Sequence, residues 1–88
     1  MLIYIRDDRV LKTTQYFETF VTVNHPEADR YRHKLHMALT QYIAREKQQG
    51  GRTARWIYIG EADKYMRIVV MADGETIHNA FWDRDFRR

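Results

Sequence analysis

The sequence predicts an α+β domain of order β-β-α-β-β-β: an antiparallel sheet with one long helix packed on one face. Three observations carry that reading. The segments Arg55–Gly60, Tyr65–Met71 and Glu75–Trp82 alternate as strands, and Asp73-Gly74 between the last two is a strong hairpin signal. Upstream, apolar residues between Asn24 and Gln48 recur at helical spacing. Before them, Gln15–Val23 (QYFETFVTV) is rich in the β-branched and aromatic residues that favour strands.

In chain order, Leu2–Ile5 is a short apolar run read as the first strand, followed by the turn-like Arg6-Asp7-Asp8-Arg9. Gln15–Val23 is the second strand, with Phe17, Thr19, Val21 and Val23 on one side. Asn24 as N-cap with Glu27 three residues on matches a capping box, and Pro26 suits a first helical turn. The helix then runs to about Gln48, where Gly50-Gly51 stops it. Ala28, Tyr31, Leu35, Ala38, Leu39, Tyr42 and Ile43 form its apolar stripe.

With Asp73-Gly74 as the turn, Met71 faces Thr76, Val69 faces His78, Arg67 faces Ala80 and Tyr65 faces Trp82. A loop over Glu61–Lys64 sets Tyr58 opposite Arg67 and Trp56 opposite Val69. Side chains alternate along a strand, so the meander acquires two faces. Ile57, Ile59, Met66, Ile68, Val70, Ile77 and Phe81, with Asn79, make a core face for the helix to cover. Trp56, Tyr58, Tyr65, Arg67, Val69, Met71, Thr76, His78 and Trp82 make an open one. A one-residue slip would exchange the two assignments.

Eighty-eight residues bound the chain to a single domain with one modest core. A hydrophobic fraction of 44% and an aromatic fraction of 14% argue for a folded globule rather than disorder. The chain has no cysteine, which excludes a disulfide framework and a thiolate metal site. No apolar run reaches the length of a membrane span or a signal-peptide core, so a soluble, cytoplasmic protein is expected, with no membrane partner. The formal charge of +3 permits a polyanionic partner.

The residues suited to proton transfer are histidines. His25 lies at the first turn of the predicted helix, and His78 on the open face near Arg67 and Tyr58. His33 and His36 point away from the apolar stripe or lie at its flank and read as surface residues. Their spacing alone does not make a metal site, which needs a third and usually a fourth ligand, so no metal is expected. With neither cysteine nor serine, a nucleophilic triad is not expected. Gly50-Gly51-Arg52-Thr53 lacks the spacing of a phosphate loop, and no cofactor motif is present.

What remains is a basic, aromatic, histidine-bearing sheet face. Such faces stack unpaired bases while nearby cations hold phosphates. RNA cleavage by its own 2′-hydroxyl needs a base, an acid and a cation for the phosphorane, and neither a metal nor a protein nucleophile. His25, His78 and Arg67 are the candidates for those roles. Trp56, Tyr58, Lys64, Tyr65 and Trp82 are the candidates for substrate binding. Aromatics and arginine are equally the usual anchors of protein interfaces.

The stretch from His25 to Phe81 resembles the barnase/EndoU/colicin/RelE-like nuclease superfamily, in the layout of colicin D-like tRNA-cleaving domains. The carriers are a histidine before an apolar-striped helix (NHPEADRYRHKLHMALTQYI), a basic linker, the strand RWIYIG and the terminal hairpin YMRIVVMADGETIHNAF. The resemblance implies a small toxin-type ribonuclease acting on RNA, with tRNA as one substrate, and an acid-base role for His25. It puts the polar residue of the last strand at His78 or Asn79. Counting from the turn selects His78 and leaves Asn79 a substrate contact. Asn24 stands where such families carry a lysine, and the usual Ser or Thr of the last strand is missing. The implied partners are RNA and a cognate antitoxin or immunity protein. The other reading is a non-enzymatic, phage- or plasmid-encoded inhibitor or binding module that docks on a host protein or nucleoprotein complex.

Overall fold

The structure, a computed structural model, describes residues 11–87. The predicted strand Leu2–Ile5 and the turn after it lie outside these residues. The architecture is α+β: short helical segments come first, followed by a four-stranded antiparallel sheet in sequential order.

QYFETFVTV is not a strand. Residues 15–24 are helical, wound as a π-helix over Phe17–Val21 and as an α-helix, α1, over Thr22–Asn24. Phe17 and Val21, one turn apart, are both fully buried, so packing overrides the β-propensity of the segment. The threonines fit because their hydroxyls bond back to the preceding turn, Thr19 to the Gln15 carbonyl (2.9 Å) and Thr22 to that of Glu18 (2.7 Å).

The single long helix is also absent. A residue before proline is pushed out of the helical region, and His25 (φ −130°, ψ 78°) breaks the chain before α2, Pro26–Arg30. Asn24 and Glu27 form no capping box. The Asn24 amide donates to the Phe20 carbonyl, and the Glu27 carboxylate accepts the backbone N–H of Trp82. Tyr31 (φ −106°, ψ 26°) interrupts again before a 3₁₀ turn over Arg32–Lys34, and α3 spans only Met37–Thr40. The apolar stripe still reaches the core, delivered by successive short turns: Ala28, Leu35 and Ala38 are fully buried.

Past α3 the chain turns into an edge strand, β1 (Ala44–Lys47), inside the span assigned to the helix. The helix-forming residues of this strand are recruited by pairing with β2 (Thr53–Ile59), Ala44 opposite Trp56. Gly50 and Gly51 thus belong to a hairpin loop. Gly51 has φ +79°, and a Cβ there would lie 2.9 Å from that of Ala72, so the position demands glycine.

β3 (Lys64–Val70) pairs with β2 through a four-residue turn that lies one position earlier than expected, so Tyr58 meets Tyr65 and Trp56 meets Arg67. The shift is by two residues and leaves the faces unchanged. β4 (Ile77–Trp82) starts in the expected register, with the Met71 N–H bonded to the Thr76 carbonyl (2.8 Å) and Val70 opposite Ile77. A bulge then intervenes. Val69 faces Asn79, not His78, and Arg67 faces Phe81, not Ala80. Beyond it the two faces of β4 are exchanged. Phe81 and Asn79 move to the open face; Ala80 is fully buried, and Trp82 packs on the core with its ring edge-on to Tyr31 (5.5 Å).

The outer edge of β4 is closed. Ile77 exchanges backbone bonds with Lys12 and Thr14, and Glu27 takes the Trp82 N–H. Among the described residues, no helix is long and apolar enough to cross a membrane.

Candidate functional site

Sheet register builds the centre of the site. Trp56 on β2, Arg67 on β3 and Phe81 on β4 are direct cross-strand partners, and adjacent strands lie about 4.8 Å apart. The Arg67 guanidinium lies 5.7 Å from the Trp56 ring centre and 5.6 Å from that of Phe81. Among the described residues no carboxylate forms an ion pair with it. Two aromatic rings therefore flank the cation.

His25 extends the row past the sheet edge. Its ring is 5.4 Å from Phe81, and its Nδ1 is 3.7 Å from a Glu27 oxygen. Glu27 is itself fixed by the Trp82 N–H (3.1 Å), so one carboxylate both closes the β4 edge and stands beside the imidazole. The side chain of His25 remains 39% exposed, open to a substrate.

Tyr58 and Tyr65 continue the open face beside Trp56, their rings 5.3 Å apart. The Tyr58 hydroxyl donates to the Asp63 carboxylate, and that bond raises the pKa of the phenol. A contact that sequence reasoning missed covers part of this surface. Phe86 stacks on Trp56 (5.2 Å, 19° between planes) and leans on Tyr65 (5.0 Å). Asp83 accepts the Trp56 indole N–H (2.9 Å). The segment after β4 thus lies over the tryptophan.

His78 is not beside Arg67 and Tyr58. It occupies the bulge, with Nδ1 3.0 Å from the Thr14 hydroxyl and its ring stacked on Tyr16 (4.8 Å, 26°). Burial, and secondarily the Arg52 charge, pull its pKa below the ordinary 6.5. His25 contacts β4 at Phe81, three residues further on, which is about 10 Å along a strand. Among the described residues the two histidines share no partner.

Lys64 and Trp82 belong to the helix-covered side, with the ammonium 5.3 Å from the indole ring centre. They form a ridge between a hollow of 340 Å³, reaching Tyr65, Phe86 and Arg87, and one of 520 Å³, reaching Glu27, Arg30 and Tyr31. Asn79 stands on the open face, its side-chain oxygen accepting the Ala80 N–H (2.9 Å). His33 and His36 are exposed.

Phe81, Glu27, Phe86 and Arg52 were not named as site residues by sequence reasoning, which placed Phe81 in the core and Glu27 in a helix cap. The first depends on a bulge that no local signal announces, and the others act through contacts distant in sequence. No family model, no curated protein and no solved structure matches this chain.

Proposed function

We propose that this protein is a small ribonuclease that binds unpaired RNA across the open sheet face and cleaves it through the RNA's own 2′-hydroxyl. The observation that carries the reading is the row Trp56–Arg67–Phe81–His25. It offers, within one line of contacts, aromatic rings beside a cation that has no acidic partner among the described residues, and a proton acceptor next to Glu27. His25 takes the 2′-hydroxyl proton and the oxygen attacks the adjacent phosphorus. Arg67 holds the non-bridging oxygens as the phosphorane forms. The bond to the 5′-oxygen breaks, that oxygen takes a proton from water, and the products are a 2′,3′-cyclic phosphate and a 5′-hydroxyl. His78, whose β4 position lies roughly 10 Å along the strand from the His25 contact, is given no part in this step.

That same separation favours a second reading, a binding module that docks on a host protein or nucleoprotein complex and cleaves nothing. Incubating the protein with total and transfer RNA in EDTA, beside His25→Ala and Arg67→Met, tests both. Fragments with cyclic phosphate ends from the wild type, lost in either variant, are the expected result. Intact RNA at high protein excess would leave the docking reading.

A further inference from the structure

We infer that Tyr16 and Phe20 form a second base-stacking station, taking an unpaired RNA base that flanks the phosphate held by His25 and Arg67. The inference rests on the ribonuclease reading above and extends it to the length of RNA engaged.

The helical run over residues 15–24 has two apolar stripes. One, Phe17 and Val21, is fully buried and belongs to the core. The other, Tyr16 and Phe20, is 42% and 47% exposed and does nothing for the core. Its rings are not splayed into solvent. Phe20 stacks on Tyr16 (5.0 Å, 20°) and Tyr16 on His78 (4.8 Å, 26°), so three near-parallel rings form a pile that ends in the open face of Phe20. Such a pile suits a flat ligand. Successive bases stacking on aromatic side chains is how unpaired nucleic acid is held without sequence readout.

Placement ties the pile to the site. Tyr16 meets β4 at His78, and His25, at the other end of the same helical run, meets it at Phe81. The run therefore lies along β4 in the same direction, pinned at both ends, with Phe20 between them. From His78 to Phe81 the strand covers about 10 Å. A strand of RNA leaving His25 along this edge passes Asn24 and reaches Phe20.

Charge favours RNA over an apolar protein segment as occupant. Burial, and after it the charge of Arg52, lowers the His78 pKa, so the inner end of the pile feels a cation. The acid of this helix, Glu18, is neutralised by two hydrogen bonds from Arg32 (2.9 and 2.7 Å) and does not oppose a phosphate.

The test is fluorescence anisotropy with labelled 2′-O-methyl RNA, which cannot undergo attack by its own 2′-oxygen, as a dinucleotide and as a hexanucleotide. Phe20→Ala should weaken hexanucleotide binding about 5- to 150-fold, the range one stacked base contributes, and leave the dinucleotide unchanged. Phe20→Trp should preserve or tighten hexanucleotide binding. Circular dichroism of both variants should match the wild type, since Phe20 is half exposed. Equal hexanucleotide affinity in wild type and Phe20→Ala overturns the station while leaving the RNA reading standing. Failure of the wild type to bind either oligonucleotide overturns both.

Discussion

Replacing Arg67 by Met removes the charge at the centre of the row and keeps an unbranched side chain of similar reach. The stability cost follows from its two ring contacts, at 5.7 and 5.6 Å. Each cation–π contact at a half-exposed site is worth about 0.5–1 kcal/mol, so the pair amounts to about 1–2 kcal/mol, less what methionine regains by packing on the same rings. At about 4–8 °C per kcal/mol for a domain of this size, the melting temperature should fall by about 5–10 °C. The functional cost follows from the charge. Losing one phosphate contact should flatten the dependence of log K on log salt by about 0.7 for single-stranded RNA. Losing the cation at the phosphorane should slow cleavage by about 10²–10³-fold. Urea unfolding, anisotropy titrations between about 50 and 200 mM salt and single-turnover cleavage measure the three effects separately. A variant that melts lower, yet keeps the wild-type salt slope and cleavage rate, would refute the reasoning: Arg67 would then be a brace between two rings and nothing more.

Two further predictions concern the fold. Arg55, only 9% exposed, donates to the carbonyls of Ala38 (3.0 Å) and Leu39 (3.4 Å) and to the Thr53 hydroxyl (3.0 Å), and lies over the Tyr42 ring. Arg55→Met leaves those acceptors buried and unpaired and should cost about 3 kcal/mol by urea denaturation; a loss below about 1 kcal/mol would show that water replaces the guanidinium. Stability should also fall in acid. Arg32 and Thr13 hold Glu18 at about 2 against an ordinary 4.5, and bonds from Thr76 and Glu75 hold Asp73 at about 2 against 3.8. A depressed carboxylate stabilises the fold above its unfolded value and loses that contribution as pH falls through the folded one, here between about 4.5 and 2. His78 adds an earlier loss of the same sign below 6.5, because the folded state resists its protonation. Melting curves across that range should flatten at the acid end in Glu18→Gln, and an unchanged slope would exclude the Arg32 pair as the cause.

Much of the sheet was legible in the sequence because its signals are local. Asp73 accepts the N–H groups of Glu75 and Thr76 in the turn, as an Asp before Gly is suited to do, and the register next to it is the predicted one. Ile57, Ile59, Met66, Ile68 and Val70 are buried as alternation predicts, whereas Val69, assigned to the open face, is buried as well; Trp56, Tyr58, Tyr65 and Arg67 stand on the open face as expected. The helical region was less legible, because two local signals compete there. Tyr16 with Phe20, and Phe17 with Val21, are spaced at helical period, yet each is a residue that strands favour; only the burial of Phe17 and Val21 decides between them. Ala44–Lys47 is the converse case, a helix-forming tetrapeptide held extended by its partner strand.

The bulge in β4 links fold and site most tightly. In a regular ladder from the Asp73-Gly74 turn, Arg67 would face Ala80, a methyl group, while Phe81 would enter the core and Trp82 would stand open. One extra residue between the pairs at Val70 and Val69 reverses this. Phe81 comes up beside Arg67 and within reach of His25, Trp82 goes down onto Tyr31, and the displaced His78 is taken by Thr14 and Tyr16. The histidine that the turn register placed at the centre of the open face is thereby moved to its end. The arginine gains an aromatic partner and, through it, a different imidazole. The row that carries the proposed chemistry is thus a product of that single irregularity.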